Sequence, residues 1–82
     1  MKYEVPLRFT PEKSKWIKDH IWHKDQKVKH LKDGSLELSF PVSDFSEIKR
    51  EIWKHGDDVA VIKPIALRHL IKTGAEKIVK IY

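Results

Sequence analysis

The sequence predicts one α+β domain in which helices cover one face of a four-stranded antiparallel sheet. Four short segments have the alternating or continuous apolar character of strands, and three others have helical apolar spacing behind a helix-start signal. The 82 residues, 40% of them hydrophobic, suffice for one core and are too few for two.

The first strand leads directly into the first helix. Residues 3–9 alternate apolar and polar side chains (with one proline), as a half-buried strand does. Thr10, Pro11 and Glu12 then supply a capping hydroxyl, a proline at the first helical position and a carboxylate at the positive end of the helix dipole. We expect the apolar face of this helix, with Trp16 as a core residue, to pack on the sheet. That face comprises Trp16, Ile17, His20 and Ile21.

A hairpin is predicted between the second and third strands. Residues 26–31 form the second strand, and residues 35–42 alternate four apolar side chains with polar residues or proline. Asp33-Gly34 between them predicts a two-residue type I′ turn, because both residue types tolerate the positive φ that this turn requires.

The second half of the chain adds a helix, a strand and a final helix. Residues 44–47 (DFSE) read as a capping box, and Gly56 is placed to end the helix that follows. Residues 59–62 form a wholly apolar strand, and Pro64 opens the last helix, which Gly74 interrupts at a cost of about 1 kcal/mol. Its apolar stripe comprises Leu67, Leu70, Ile71, Ile78 and Ile81.

The resulting order is β-α-β-β-α-β-α. Two crossovers joined by a central hairpin place strands 1 and 3 in the centre of the sheet and strands 2 and 4 at its edges. This is the ferredoxin-like, split β-α-β arrangement with an extra C-terminal helix.

Positive charge is concentrated in one segment. The net charge is +5. Residues 13–32 contain seven lysines and two aspartates, so this segment alone carries a charge of +5. Such a segment predicts a phosphate-binding face that attracts nucleic acid through counterion release. The alternative is that lysines on an edge strand only prevent aggregation between sheets.

Several classes of function are not expected. There are no cysteines, which excludes disulfides and favours a cytoplasmic location for so small a domain, and no apolar run is long enough for a membrane span. We expect no enzyme and no cofactor, because neither a nucleophile elbow nor a glycine-rich phosphate loop is present. His20 and His23 have the spacing of metal ligands on a helix, but we expect no metal. Trp22 and Trp53 are predicted to plug the core, with ligand stacking as the alternative.

Six motifs together resemble one known family, the WCX domain found at the C-terminal end of bacterial WYL-domain transcriptional regulators. The resemblance extends from Val5 to Tyr82, and Asp25 stands where the family's W-H-x-S-Q motif has serine. The motifs are VPLRFTP at 5–11, WHKDQ at 22–26, DGSLEL at 33–38, FPVS at 40–43, IWKHG at 52–56 and VAVIKPIALR at 59–68.

The resemblance implies a role in transcription regulation, through ligand sensing and dimer assembly. We therefore expect residues 1–82 to form one regulatory domain of a larger regulator, whose helix-turn-helix and WYL domains lie outside this sequence. The competing hypothesis is a free-standing module that binds single-stranded nucleic acid or a nucleotide through a basic face. The candidate residues for phosphate or effector binding are Arg8, His23, Gln26, Lys27 and Lys29.

A homodimer or a contact with a neighbouring domain is the expected assembly. Ala60 and Ile62 are apolar at outward strand positions, and Val79 and Tyr82 extend the apolar face of the last helix. These four residues are the candidate interface. The alternative is that the last helix itself covers strand 4.

Overall fold

The computed structural model describes residues 3–19 and 21–82. The sheet has the strand order β2-β3-β1-β4, with every neighbouring pair antiparallel, so the predicted topology is confirmed. The elements are β1 (Tyr3–Phe9), α1 (Pro11–Ile17), β2 (Lys27–His30), β3 (Leu36–Val42), α2 (Phe45–His55), a 3₁₀ turn (Gly56–Asp58), β4 (Val59–Val61) and α3 (Ile65–Ile81).

The two central strands supply most of the core. Val5 pairs with Phe40 and Leu7 with Leu38 across β1 and β3, and all four side chains are buried. Each such side chain contributes about 1.5–3 kcal/mol through burial. The helices close the core from one side with Ile17, Ile48, Ile52 and Leu67.

The predicted starts of α1 and α2 and the predicted end of α2 are confirmed. The Thr10 hydroxyl accepts a hydrogen bond from the backbone N–H of Lys13, and the Asp44 carboxylate accepts one from the backbone N–H of Ser46. Gly56 ends α2 with a φ of +59°, a conformation that glycine adopts at little cost.

Helix α1 is shorter than expected, and its predicted core face is wrong at two positions. The helix ends at Ile17, and the side chains of Trp16 and Ile21 are 79% and 78% exposed. A helix of two turns directs only one narrow side to the sheet, and Ile17 occupies that side. His20 lies outside the described residues.

The hairpin has a three-residue loop rather than the predicted type I′ turn. Gly34 has a φ of +91°, but Asp33 does not have a positive φ. The N–H of Gly34 donates to the Leu31 carbonyl, and the N–H of Leu31 donates to the Ser35 carbonyl. This pattern is typical of a three-residue hairpin loop with glycine at its left-handed position.

Substitution of Gly34 by valine is expected to lower the free energy of unfolding by about 1–3 kcal/mol. Valine is strained at a φ of +91°, and its Cβ would lie 3.3 Å from the Cβ of Pro11. Urea unfolding measures the loss, with Gly34→Asn as the control because asparagine tolerates positive φ better. Equal stability of the valine variant and the parent chain would contradict this account of the loop.

Helix α3 is attached to the domain by a narrow contact. Leu67 is fully buried and Ile71 is partly buried against the core, while the rest of the predicted stripe is more exposed. The helix packs on the core side of the sheet and leaves Ala60 and Ile62 of the opposite face exposed. In the described residues, no helix is long and apolar enough to cross a membrane.

Gly74 does not break α3. Helix α3 runs through it, and a Cβ at this position would lie 2.3 Å from Cζ2 of Trp53. The glycine therefore makes room for the Trp53 ring between α2 and α3. Trp53 packs partly buried against the core, as predicted.

Candidate functional site

Three of the predicted phosphate-binding residues share the open face of the sheet. In the strand register Lys29 lies opposite Glu37, and Glu37 lies opposite Arg8 on its other side. Lys27 is two residues along the same face of β2, opposite Ser39. Both lysines are exposed. A carboxylate thus lies between the cations, which weakens the positive field of this face.

Arg8 is engaged within the domain. Its Nη2 lies 2.9 Å from Oδ2 of Asp33, and its Nε donates to the Ser35 hydroxyl at 3.3 Å. Hydrogen bonds from the side chain and backbone N–H of Ser35, assisted by Arg8, hold the pKa of Asp33 below its usual value. Asp33 therefore stays ionised at neutral pH, and Arg8 connects β1 to the hairpin loop.

His23 and Gln26 lie in the loop before β2 and shape that loop. The Gln26 side-chain oxygen accepts hydrogen bonds from the backbone N–H groups of Trp22, at 2.7 Å, and of His23, at 3.2 Å. Nδ1 of His23 accepts a third from the backbone N–H of Asp25, at 2.9 Å. Since the backbone of Asp25 makes this contact, it does not require the serine found in the family's motif.

The side chain of Trp22 packs on the core side of the sheet and so anchors this loop there. Its ring contacts Phe9 and Phe40 with centroids 5.7 and 5.8 Å apart, and it stacks on His55 at 5.5 Å. His23 stacks on Phe40. The predicted core role of Trp22 is confirmed.

The five phosphate-binding candidates are thus divided, with Arg8 and the two lysines on one face of the sheet and the other two in a loop at the opposite face.

The candidate interface residues lie on β4, just after it, and on the last turn of α3. Ala60 and Ile62 are exposed on the open-face side, where the N–H of Ile62 extends the pairing by donating to the Pro6 carbonyl at 3.0 Å. Val79 is 72% exposed, and Tyr82 has its whole side chain in solvent.

A groove that the sequence did not reveal lies between the end of α2, β4 and α3. We call this the α3 groove; its volume is about 510 Å³. Two cations, Arg68 and Lys72, line it on the α3 side, and Nη1 of Arg68 lies 3.4 Å from the Ile62 carbonyl oxygen. The apolar lining includes Trp53, Val59, Val61, Ile71, Ala75 and Ile78.

Comparison with known protein families identifies the family of this domain. The model of the WCX domain matches residues 1–79, nearly the whole chain. The chain belongs to the WCX family. The resemblance seen in its motifs is thereby confirmed, and it associates the chain with WYL-type regulators. A comparison with curated proteins gave no match.

One signal in the sequence of this WCX domain pointed to the α3 groove. A glycine inside a strongly helical segment indicates close approach of another group, and Gly74 faces Trp53. Arg68, Lys72 and Ala75 recur every three or four residues and so share one side of α3. Which elements that side would face could not be read from spacing, because it depends on how α3 packs.

Proposed function

We propose that this WCX domain is the C-terminal regulatory domain of a WYL-type transcriptional regulator, where it assembles a homodimer and contributes to effector sensing. The single observation that carries the proposal is the uncovered apolar surface on β4 and α3. In the intact regulator, the neighbouring WYL domain is the other candidate for contact with this surface.

The two edges of the sheet differ in a way that favours β4 as the assembly edge. Edge strand β2 presents Lys27 and Lys29, and charged side chains on an edge discourage pairing with another sheet. Residues 59–62 carry no charge, and within the described residues β4 pairs with β1 alone. Its outer backbone groups are therefore available to a second strand.

Helix α3 extends the same apolar surface. Ile81 is 76% exposed, and it adjoins Val79 and Tyr82 in the last turn. Large exposed apolar patches on small domains mark partner surfaces. A two-fold axis would bring the same patch from each copy together, so residues of β4 and α3 would contact their own equivalents or one another.

Substitution of Ile62 by lysine is expected to weaken self-association by about tenfold or more, because a charge would enter an apolar contact. Sedimentation equilibrium over a concentration series measures this effect. Val28→Lys is the matched control, since Val28 is similarly exposed on the opposite edge strand and should leave the dimer intact. A parent chain that sediments as a monomer at every concentration would contradict the dimer contact.

The second candidate function is binding of single-stranded nucleic acid by the open face, favoured by the shared orientation of Lys27 and Lys29. Lys27→Glu combined with Lys29→Glu should then weaken oligonucleotide binding and reduce the salt slope by about two. Fluorescence anisotropy across a salt series provides the measurement. Unchanged binding by the double variant would show that those lysines only protect edge strand β2 from pairing with another sheet. We favour the regulatory function because Arg8 is paired and Glu37 lies between the cations.

A further inference from the structure

We propose that the α3 groove binds a small apolar carboxylic acid, with its hydrocarbon part in the groove and its carboxylate between Arg68 and Lys72. The inference rests on the effector-sensing part of the proposed function and names the chemical class of the effector. It concerns a site formed within one chain, which adjoins the surface proposed to contact a second copy and shares Ala60 with it.

The dimensions and the lining of the groove suit an apolar ligand. Its volume of about 510 Å³ is within the range of small-molecule sites, about 300–1,000 Å³. Val61 and Ile71 come from different elements of the domain and meet there beside the Trp53 ring. Such a lining favours binding of a hydrocarbon chain or ring, because binding removes apolar surface from water.

Two cations at the groove determine the charge of the ligand. Arg68 and Lys72 are four residues apart on α3 and therefore lie side by side. Within the described residues, neither takes part in an ion pair with a carboxylate, whereas Arg8 is paired with Asp33. Asp57 also lines the groove, but it is one acid against two cations. A guanidinium beside an ammonium matches a carboxylate, which can accept hydrogen bonds from both.

The ring of Trp53 forms part of the wall of the groove. Its indole N–H is buried and has no hydrogen-bond acceptor in the part of the chain that the structure describes. Buried donors are nearly always paired in folded proteins, so an unpaired one at the wall of a groove is notable. Because this N–H is closed to solvent, the carboxylate is assigned to Arg68 and Lys72 and not to Trp53.

The same charges argue against a second copy as the occupant of the groove. A two-fold axis through the groove would bring Arg68 and Lys72 of both copies together, and like charges in contact oppose association. The charges of the groove therefore fit a small anion better than they fit a second copy.

Titration of the isotope-labelled domain with decanoate, followed by amide and indole NMR shifts, tests the proposal. We expect saturable shifts at Trp53, Ile71 and Ala75, and binding about tenfold tighter than that of decan-1-ol, which has the same chain without the charge. Decyltrimethylammonium, with the opposite charge, should bind still more weakly than the alcohol.

Two sets of variants locate the site. Arg68→Gln combined with Lys72→Gln should weaken decanoate binding by about tenfold and leave decan-1-ol binding unchanged. Lys77→Gln combined with Lys80→Gln removes the same charge from the other side of α3 and should have no effect. Ala75→Phe should block the groove for both ligands, whereas Ala66→Phe, on an exposed part of the helix, should not.

Three results of the titration of the parent domain would overturn the proposal. They are the absence of saturable shifts, equal affinity for decanoate and decan-1-ol, or shifts confined to the open face of the sheet. Decanoate binding seen only with the Ile62→Lys variant would also overturn it, because the second copy would then fill the groove. Since the groove lies within one chain, a monomeric parent that still binds decanoate would separate failure of the dimer from failure of this site.

Discussion

Replacing Leu67 with alanine is expected to lower the free energy of unfolding by about 2–5 kcal/mol. In the described residues Leu67 is the one side chain of α3 that is fully buried, and it joins the core formed by β1, β3 and α2. Removal of its branched end leaves a cavity at the point where α3 is attached. The helix should therefore loosen, and the α3 groove that it lines should lose its shape.

Urea unfolding gives the size of the loss, and native-state hydrogen exchange shows whether α3 opens before the sheet. Leu70→Ala is the matched control, because Leu70 lies in the same turn and is 39% exposed. The Leu70→Ala variant should lose less than about 1 kcal/mol of unfolding free energy, since the substitution removes little buried apolar surface. Equal losses for the two variants would show that α3 is not anchored through Leu67.

Replacing Gly74 with alanine is expected to destabilise the domain by about 1–3 kcal/mol, the reverse of its usual effect in a helix. In an open helix this change stabilises by about 1 kcal/mol, because alanine loses less backbone entropy than glycine. Here the new Cβ would overlap Cζ2 and Cη2 of Trp53, at 2.3 and 2.6 Å. The ring is partly buried against the core and has little freedom to move.

The sign of the change makes this a clear test. Thr73→Ala at the neighbouring exposed position should stabilise the domain by a few tenths of a kcal/mol, as propensity alone requires. Gly74→Ala should cost less stability in a Trp53→Leu background than in the parent chain. A double-mutant cycle measures this difference. A stabilised Gly74→Ala single variant would mean that α3 does not approach Trp53 this closely.

Much of the fold could be predicted because the relevant forces act between residues close in sequence. Alternation along residues 3–9 and 36–42 sets which side chains share a face of a strand, whatever the rest of the chain does. The caps at Thr10 and Asp44 involve neighbours two or three residues away. The strand order followed from the sequence of elements, and the motifs resembled the family to which the chain belongs.

Candidate site residues could be named from the sequence, but their grouping could not. The lysines of β2 and Arg8 do share a face, as period-two patterning requires. The partners of Arg8 and the loop contacts of Gln26 depend on groups brought close by folding. Local patterning could not tell a side chain that is available to a ligand from one already engaged within the domain.

The sequence by itself determined the elements of this WCX domain, their order, the core faces of β1 and β3, and the family. Only the tertiary structure decided that Trp16 and Ile21 face solvent, that the hairpin loop has three residues, and that α3 meets Trp53 at Gly74 to leave a groove. The physical reason is that burial and cavity shape depend on the distance between elements far apart in the chain. Periodicity fixes the direction of a side chain relative to its own helix or strand, and packing decides what lies in that direction.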